Sequence, residues 1–494
     1  MWRLHACRPN EGAEWYGQDP VLAGLPTLRE FAEAHGTRQG QEFVICSDGR
    51  VVSAVNAFLA SPRMTSRSAG TRDKYGRALC VWLGYLDAVG QSWSQAGEAE
   101  VDGFKFWRMT DAANPARVAG SSVLDNLSAV NAFYEWTQPR YAVANPVARR
   151  HLRSRRSGTR LEPFAAAPHV VRQRDVKWLD PGGYACWRDI GLRGLDRQGR
   201  EVERWPGRNS QRDCAFADGL YGTGLRLQEW ASVLLMELPA DDPMRGYATC
   251  WLATECGKGK RGRQYWMPRS VSADVLAYCE GERAAAVRRA QRAGRYYRIG
   301  DILVLTRVLG RRRIELTDRA GVRSTVSLDA LDPATRCRIF TDTGSGLAPA
   351  AVWVNEDGLP RQAHGWQHTF DTANQRVARA GLDAVSATAH MLRHSFALRW
   401  FSVGRLLYEK RFAHLDAEEL RDFRAQFGDT WYLVKTLLGH SDVTTTMDVY
   451  LEPFRELDVA LLIEHAHGAG MAALMAEMFA AHPQVITAPT EAAR

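Results

Sequence analysis

No run of eighteen apolar residues occurs in the 494-residue chain, so the sequence predicts no membrane-spanning helix. The opening MWRLHACRPNEGAEWYG has no apolar h-region, so no secretory signal is expected. Nine cysteines lie scattered with no CxxC pair, which fits reduced thiols in a cytoplasm better than a disulfide framework or a zinc module. There is no P-loop GxxxxGK[ST] and no HExxH, and no internal repeat or low-complexity segment stands out. His364/His368 and His390/His394 have the i, i+4 spacing of metal ligands, but neither pair has an evident third ligand. No metal and no cofactor are expected.

What remains is an ordinary globular composition, 45% apolar and 24% charged, long enough for two to four domains. The net charge of +8 is unevenly placed. Residues 258–313 hold fifteen Lys and Arg against four Asp and Glu, so this stretch carries +11 and the remainder sums to −3. A second run, RRHLRSRRSGTR at 149–160, has six arginines and no acid. Two such runs, one interleaved with Trp266, Tyr296 and Tyr297, favour a polyanionic partner, with nucleic acid the leading candidate. Arg149, Arg150, Arg153, Arg155, Arg156, Lys260, Arg261 and Arg263 are the candidate DNA contacts.

Along the chain, residues 1–60 mix short apolar runs with turn signals and form an N-terminal extension of unassigned role. From Thr71 the pattern is helical. Tyr75, Leu79, Trp82 and Leu86 make one stripe, and Val123, Leu127, Val130 and Tyr134 another, the latter opening after Ser121 and Ser122. Residues 61–148 are therefore expected to be a small helical domain, ending by Asn145-Pro146, with 149–161 a basic linker. Within 162–460, residues 212–238 read as two helices separated at Gly222–Gly224. Residues 249–268 read as two strands joined by a Gly-rich hairpin. The stretch 281–298 reads as helix, IGDILVLT as strand, and 390–401 as helix. The expected fold class is mainly α with a small antiparallel β-sheet.

Four stretches of the second domain carry residues suited to one chemistry. Arg226 lies in TGLRLQE, Lys258 in CGKGKRGR, His390 and Arg393 in HMLRHSF, and His440 and Tyr450 in LLGHSDVTTTMDVY. Met447, Tyr450, Leu451 and Phe454 share a helical face, so spacing alone would make Tyr450 a half-buried aromatic. Two arginines present planar forks that match the non-bridging oxygens of a phosphodiester. Glu229, one turn after Arg226, is placed either to pair with it or to orient it. His390 and Arg393 at i, i+3 share a helix face.

The order Arg, Lys, His-x-x-Arg, His, Tyr in these settings resembles the tyrosine recombinases, the phage integrase family. The resemblance covers about 61–160 and 206–460, with gaps, and the helical region 61–148 is similar to that family's core-binding domain. It implies a site-specific recombinase or integrase of double-stranded DNA, of the kind mobile elements use in transposition, that cuts and rejoins strands through a 3′-phosphotyrosyl link. By that resemblance Tyr450 is the nucleophile, Arg226 and Arg393 hold the phosphate, and His390 is the general base. Lys258, with Lys260 or Arg261 as alternatives, is the general acid, and His440 bonds a phosphate oxygen. It further implies a homo-oligomer, a tetramer on DNA, with accessory recombination proteins, no membrane partner and a cytoplasmic, nucleoid-associated location. A type IB topoisomerase and a non-catalytic DNA-binding protein of the same fold are the alternatives. Extra length sets insertions around 281–340 and 402–431. The apolar tail, 461–494, is expected to dock either on a neighbouring subunit or on its own domain.

Overall fold

The computed structural model describes residues 1–7, 30, 34–38, 40–147, 149–154, 158–164, 177–240, 244, 246–310, 312–411 and 485–486. The chain divides into two compact units, Met1–Arg174 and Asp175–Arg494.

In the first unit, β1 (Trp2–Ala6) pairs antiparallel with β2 (Glu42–Cys46). Five helices follow: α1 (Ser53–Ala60), α2 (Pro62–Thr65), α3 (Ala69–Ala88), α4 (Glu98–Met109) and α5 (Gly120–Tyr141). The two predicted stripes supply the core, with Leu79, Trp82, Leu86, Val123, Leu127, Val130 and Tyr134 all buried and Tyr75 half-buried at the edge. Ser68 caps α3 by accepting from the Thr71 amide. Ala119 is the N-cap of α5, so Ser121 and Ser122 sit in its first turn rather than capping it. The separate extension expected at 1–60 is corrected: Trp2, Val44, Val55 and Phe58 are buried in the same core as the helices. A strand and a helix this short cannot bury their apolar faces alone.

The arginine run differs from the expected linker too. It forms an antiparallel hairpin of β3 (Arg149–Ser154) and β4 (Gly158–Phe164), with a register irregularity between Arg149 and His151. The alternation in HLRS and GTRLEPF, around a Ser-Gly step, suits strands better than a solvated tether.

The second unit opens with β5 (Trp178–Leu179) and α6 (Pro181–Arg188), then α7 (Ser210–Thr223) and α8 (Leu227–Ala231). The hairpin of β6 (Tyr247–Leu252) and β7 (Arg263–Pro268) has the expected antiparallel pairing and leads into α9 (Arg269–Tyr278) and α10 (Ala284–Arg292). The region 281–340 holds more than the helix and strand expected there. Strands β8 (Leu303–Leu309), β9 (Arg313–Asp318) and β10 (Arg323–Ser327), the short helix α11 (Pro333–Arg336), and strands β11 (Ile339–Asp342) and β12 (Leu347–Pro349) build a five-stranded sheet. Its order is β10-β9-β8-β11-β12, with β8 and β11 the parallel pair. Helices α12 (Gly365–Arg379) and α13 (Ala389–Arg411) follow, and β13 (Val485–Ile486) pairs parallel with β5 of the same chain. Fully buried Trp187, Trp230, Trp353 and Trp366 fill the core around α7.

The fold is thus α+β, as expected. The remainder of the 402–431 insertion beyond Arg411 and residues 461–484 of the tail lie outside the described residues. No helix among the described residues is long and apolar enough to cross a membrane.

Candidate active site

Helix α7 stops at Gly224, which takes the left-handed conformation (φ 65°) that glycine adopts without strain. Two residues later Arg226 caps the start of α8, and Glu229 in its first turn accepts from the Arg226 amide at 2.9 Å and from Arg226 Nη1 at 3.0 Å. The same carboxylate takes both terminal nitrogens of Arg263, at 3.2 and 2.7 Å, and faces the Lys258 amide at 3.4 Å. Glu229 is only 2% exposed. Burial alone would raise its pKa, but the hydrogen bonds and charge of Arg263, with the charge of Arg226, outweigh burial and hold it at about 2. Glu229 therefore remains ionised and fixes three elements at once: the Arg226 cap, strand β7 and the Lys258 hairpin.

Arg393 is brought to the same neighbourhood from α13. It is buried, and its guanidinium donates to the carbonyl of Gly224. Gly224 has no room for a side chain, since a Cβ there would lie 2.3 Å from the Phe396 ring. Gly224→Ala is expected to lose about 2 to 4 kcal/mol, from backbone strain plus the clash, and to displace the carbonyl that anchors Arg393. Urea denaturation reads the first effect, and an unchanged midpoint would contradict it. His390 lies exposed in the first turn of α13, with its ring 4.2 Å from that of His394 in an edge-to-face arrangement. Thr388 Oγ1 accepts from the Met391 amide at 3.2 Å and so caps this helix.

Lys258 and Lys260 both stand exposed on the hairpin tip, but they are held differently. Lys260 sits at φ 54° and makes an ion pair with Glu255 at 3.2 Å. Lys258 is tied through its backbone to Glu229. Arg261 is exposed. Arg263, grouped from the sequence with the phosphate contacts, is corrected to an inward position: its side chain is 13% exposed and both terminal nitrogens serve Glu229. A carboxylate 34 residues away causes this, so nothing local in the sequence announces it.

The hairpin base has a brace that sequence reading missed. Asp329 Oδ1 accepts from Trp251 Nε1 at 3.0 Å and from the Thr254 amide at 3.3 Å, while Arg312 holds the same carboxylate at 2.7 and 2.8 Å. The five-stranded sheet thereby supports the hairpin that carries Lys258.

Four of the six predicted catalytic residues, Arg226, Lys258, His390 and Arg393, are described. Arg226 and Lys258 are joined through Glu229. Arg393 is joined to the turn before Arg226, with His390 one turn ahead of it on α13. His440 and Tyr450 lie outside the described residues, as do Ser441, Asp442, Thr444 to Thr446, Arg155 and Arg156. Arg149, Arg150 and Arg153 fall on β3. Among the described residues no group of three or more His, Cys, Asp or Glu is placed to hold a metal ion, and His364 and His368 are exposed.

Comparison with known proteins adds to this arrangement. Residues 55–140, spanning α1 to α5 almost end to end, match the family model described as phage integrase, N-terminal SAM-like domain. An "Integrase/recombinase" of Escherichia coli and another of Pseudomonas aeruginosa are each 27% identical to this chain over 241 residues. The helical region of the first unit is thus similar to the N-terminal domain of phage integrases. Each alignment takes in 47% of the chain and 52% of the relative, so the chain spans about half the length of the curated relatives it matches. Among solved structures, the chain is similar to the XerH site-specific recombinase bound to difH substrate, at 14% identity and TM-score 0.41, covering 84% of this chain and 85% of that one. It is also similar to the Tn1549 transposon integrase in complex with circular intermediate DNA, at 12% identity and TM-score 0.41, covering 83% and 98%.

Proposed function

We propose that the chain is a site-specific DNA recombinase that cuts and rejoins strands through a covalent tyrosyl link. The observation that carries this reading is the Glu229 junction. One buried carboxylate locks the Arg226 turn to the Lys258 hairpin, while Arg393 is anchored on the carbonyl of Gly224. Two permanent cations and a lysine are thus gathered at one place, as a phosphoryl transition state requires.

In this reading, Arg226 and Arg393 hold the two non-bridging oxygens of a phosphodiester. The Tyr450 phenol, with an ordinary pKa near 10, gives its proton to His390 as its oxygen bonds to phosphorus. The bond from phosphorus to the 5′ oxygen breaks, and Lys258 protonates that oxygen. His440 bonds a phosphate oxygen. The tyrosyl ester keeps the energy of the broken bond, so a new 5′ hydroxyl can reverse the step without ATP. Double-stranded DNA is the substrate, and exchange between two duplexes calls for an assembly of several copies.

The test is covalent trapping. Nicked duplexes drawn from repeat-flanked element ends near the gene are expected to leave a protein–DNA adduct on a denaturing gel. Site-independent relaxation of supercoiled plasmid by the monomer would instead assign the chain to topoisomerase chemistry.

The general acid is separable from its neighbours. Lys258→Ala is expected to slow cleavage by about 10²- to 10⁴-fold. A substrate whose 5′ bridging oxygen is replaced by sulfur should restore most of that loss, because a thiolate leaves without a proton. Lys260→Ala should cost little with either substrate. Rescue of the Lys260 variant alone would reverse the assignment.

A further inference from the structure

The inserted sheet has one covered face and one partly open face. On β9, Ile314 and Leu316 point into a core with Leu328, Leu331 and Ile339, so Arg313, Glu315 and Thr317 point the other way. Antiparallel partners project to the same side. The pairings Thr325↔Glu315, Arg323↔Thr317 and Arg307↔Glu315 therefore add Arg323, Thr325 and Arg307 to that second face. Helix α10 covers this side toward β11, β12 and the start of β8, through Val287 and Ala290 in a cluster with Phe340, Ala348 and Val304. Over β9 and β10 the surface stays open, and Arg307, Arg313 and Arg323 are all exposed.

These three arginines have no ion-pair partner among the described residues, because the nearby acids are engaged elsewhere. Asp301 pairs with Arg338, and Asp329 with Arg312. Asp318 accepts from the Val322 amide, and Glu315 from Thr306 Oγ1. Arg323 and Arg313 lie four residues apart in register, about 13 Å along the strands. Over that length one strand of duplex DNA presents about four phosphates.

We infer that the open face of β8–β9–β10 is a second duplex-DNA contact, carried by the insertion and gripping phosphates outside the cleavage centre through Arg307, Arg313 and Arg323. The inference rests on the recombinase reading for the identity of its partner. The placement supports DNA over an acidic polypeptide. Arg313 directly follows Arg312, which is bonded through Asp329 to the hairpin carrying Lys258. A duplex engaged at that hairpin would reach the arginine face without leaving the unit. The exposed hydroxyl of Thr325 on the same face suits a phosphate oxygen.

The experiment compares the full chain with two triple variants, R307A/R313A/R323A and R307K/R313K/R323K. Each is titrated with a duplex long enough to pass the cleavage site, between about 50 and 200 mM salt. The alanine variant should lose about 2 to 3 units from the slope of log affinity against log salt, at roughly 0.9 per phosphate contact. The lysine variant should keep the wild-type slope, since the charge is retained and the fold is undisturbed. A wild-type slope in the alanine variant overturns the proposal. So does loss of poly-glutamate binding with the DNA slope intact, which would assign the face to an acidic polypeptide. Adduct formation on nicked DNA is read on the same samples. A reduced slope with no adduct in any sample, wild type included, would uphold this surface and count against the strand-transfer chemistry alone.

Discussion

Tyr450→Phe is expected to abolish the covalent protein–DNA adduct and to leave duplex binding within about twofold of wild type. The expectation follows from placing the nucleophile in LLGHSDVTTTMDVY and from the charge that Arg226 and Arg393 bring to the phosphate. Removing one hydroxyl deletes the attacking atom and no positive charge, so the electrostatic grip on the backbone is untouched. Strand cleavage should fall by at least about 10³-fold, as when a nucleophile is removed from a site whose other groups remain. Trapping on a nicked duplex, followed by a denaturing gel, separates the two effects. An adduct of wild-type strength in the variant would remove Tyr450 from the mechanism.

Glu229→Gln should be the most damaging change outside the reacting groups. Its carboxyl sits at about 2 in the folded chain against an ordinary 4.5, a difference that corresponds to about 3 kcal/mol at neutral pH. The folded pKa is depressed, so this contribution is complete above about pH 5 and is lost as pH falls through 4.5 toward 2. A glutamine cannot neutralise Arg226 and Arg263 together, and an uncompensated buried cation adds its own penalty. Urea melts should therefore show the variant about 3 kcal/mol less stable at pH 7, with the gap reduced to about half by pH 3. A gap independent of pH would show that the carboxylate charge is not what stabilises the junction. Cleavage should drop by about 10²-fold or more, with partial recovery in Glu229→Asp.

How far the sequence foretold these features depended on whether the deciding contacts were local. The stripes at Leu79, Trp82 and Leu86 and at Val123, Leu127 and Val130 repeat at helical spacing, and they became the core of α3 and α5. The Arg226, Lys258 and His390–Arg393 motifs could be read because each is a short run with its own turn or helix around it. The sheet β8–β12 could not, since its strands are short and close by pairing Leu303 with Ile339 across the β9–β10 hairpin. Long-range burial reassigned Arg263, through Glu229, and gave Asp329 a role no spacing would suggest. Likewise Trp2 and Val44 looked like fragments of an extension until the helical core that covers them was in place.

The pairing of Val485–Ile486 with Trp178–Leu179 brings the last described strand of the second unit beside its first, with the Ile486 carbonyl accepting from the Asp180 amide at 3.1 Å. A short peptide could therefore join these two paired strands. A circular permutant opened at the exposed Gly344–Ser345 turn would retain every strand pairing described for the sheet. It would also place the new chain ends at the turn between β11 and β12, giving a fluorophore or solid-support attachment point on the five-stranded sheet.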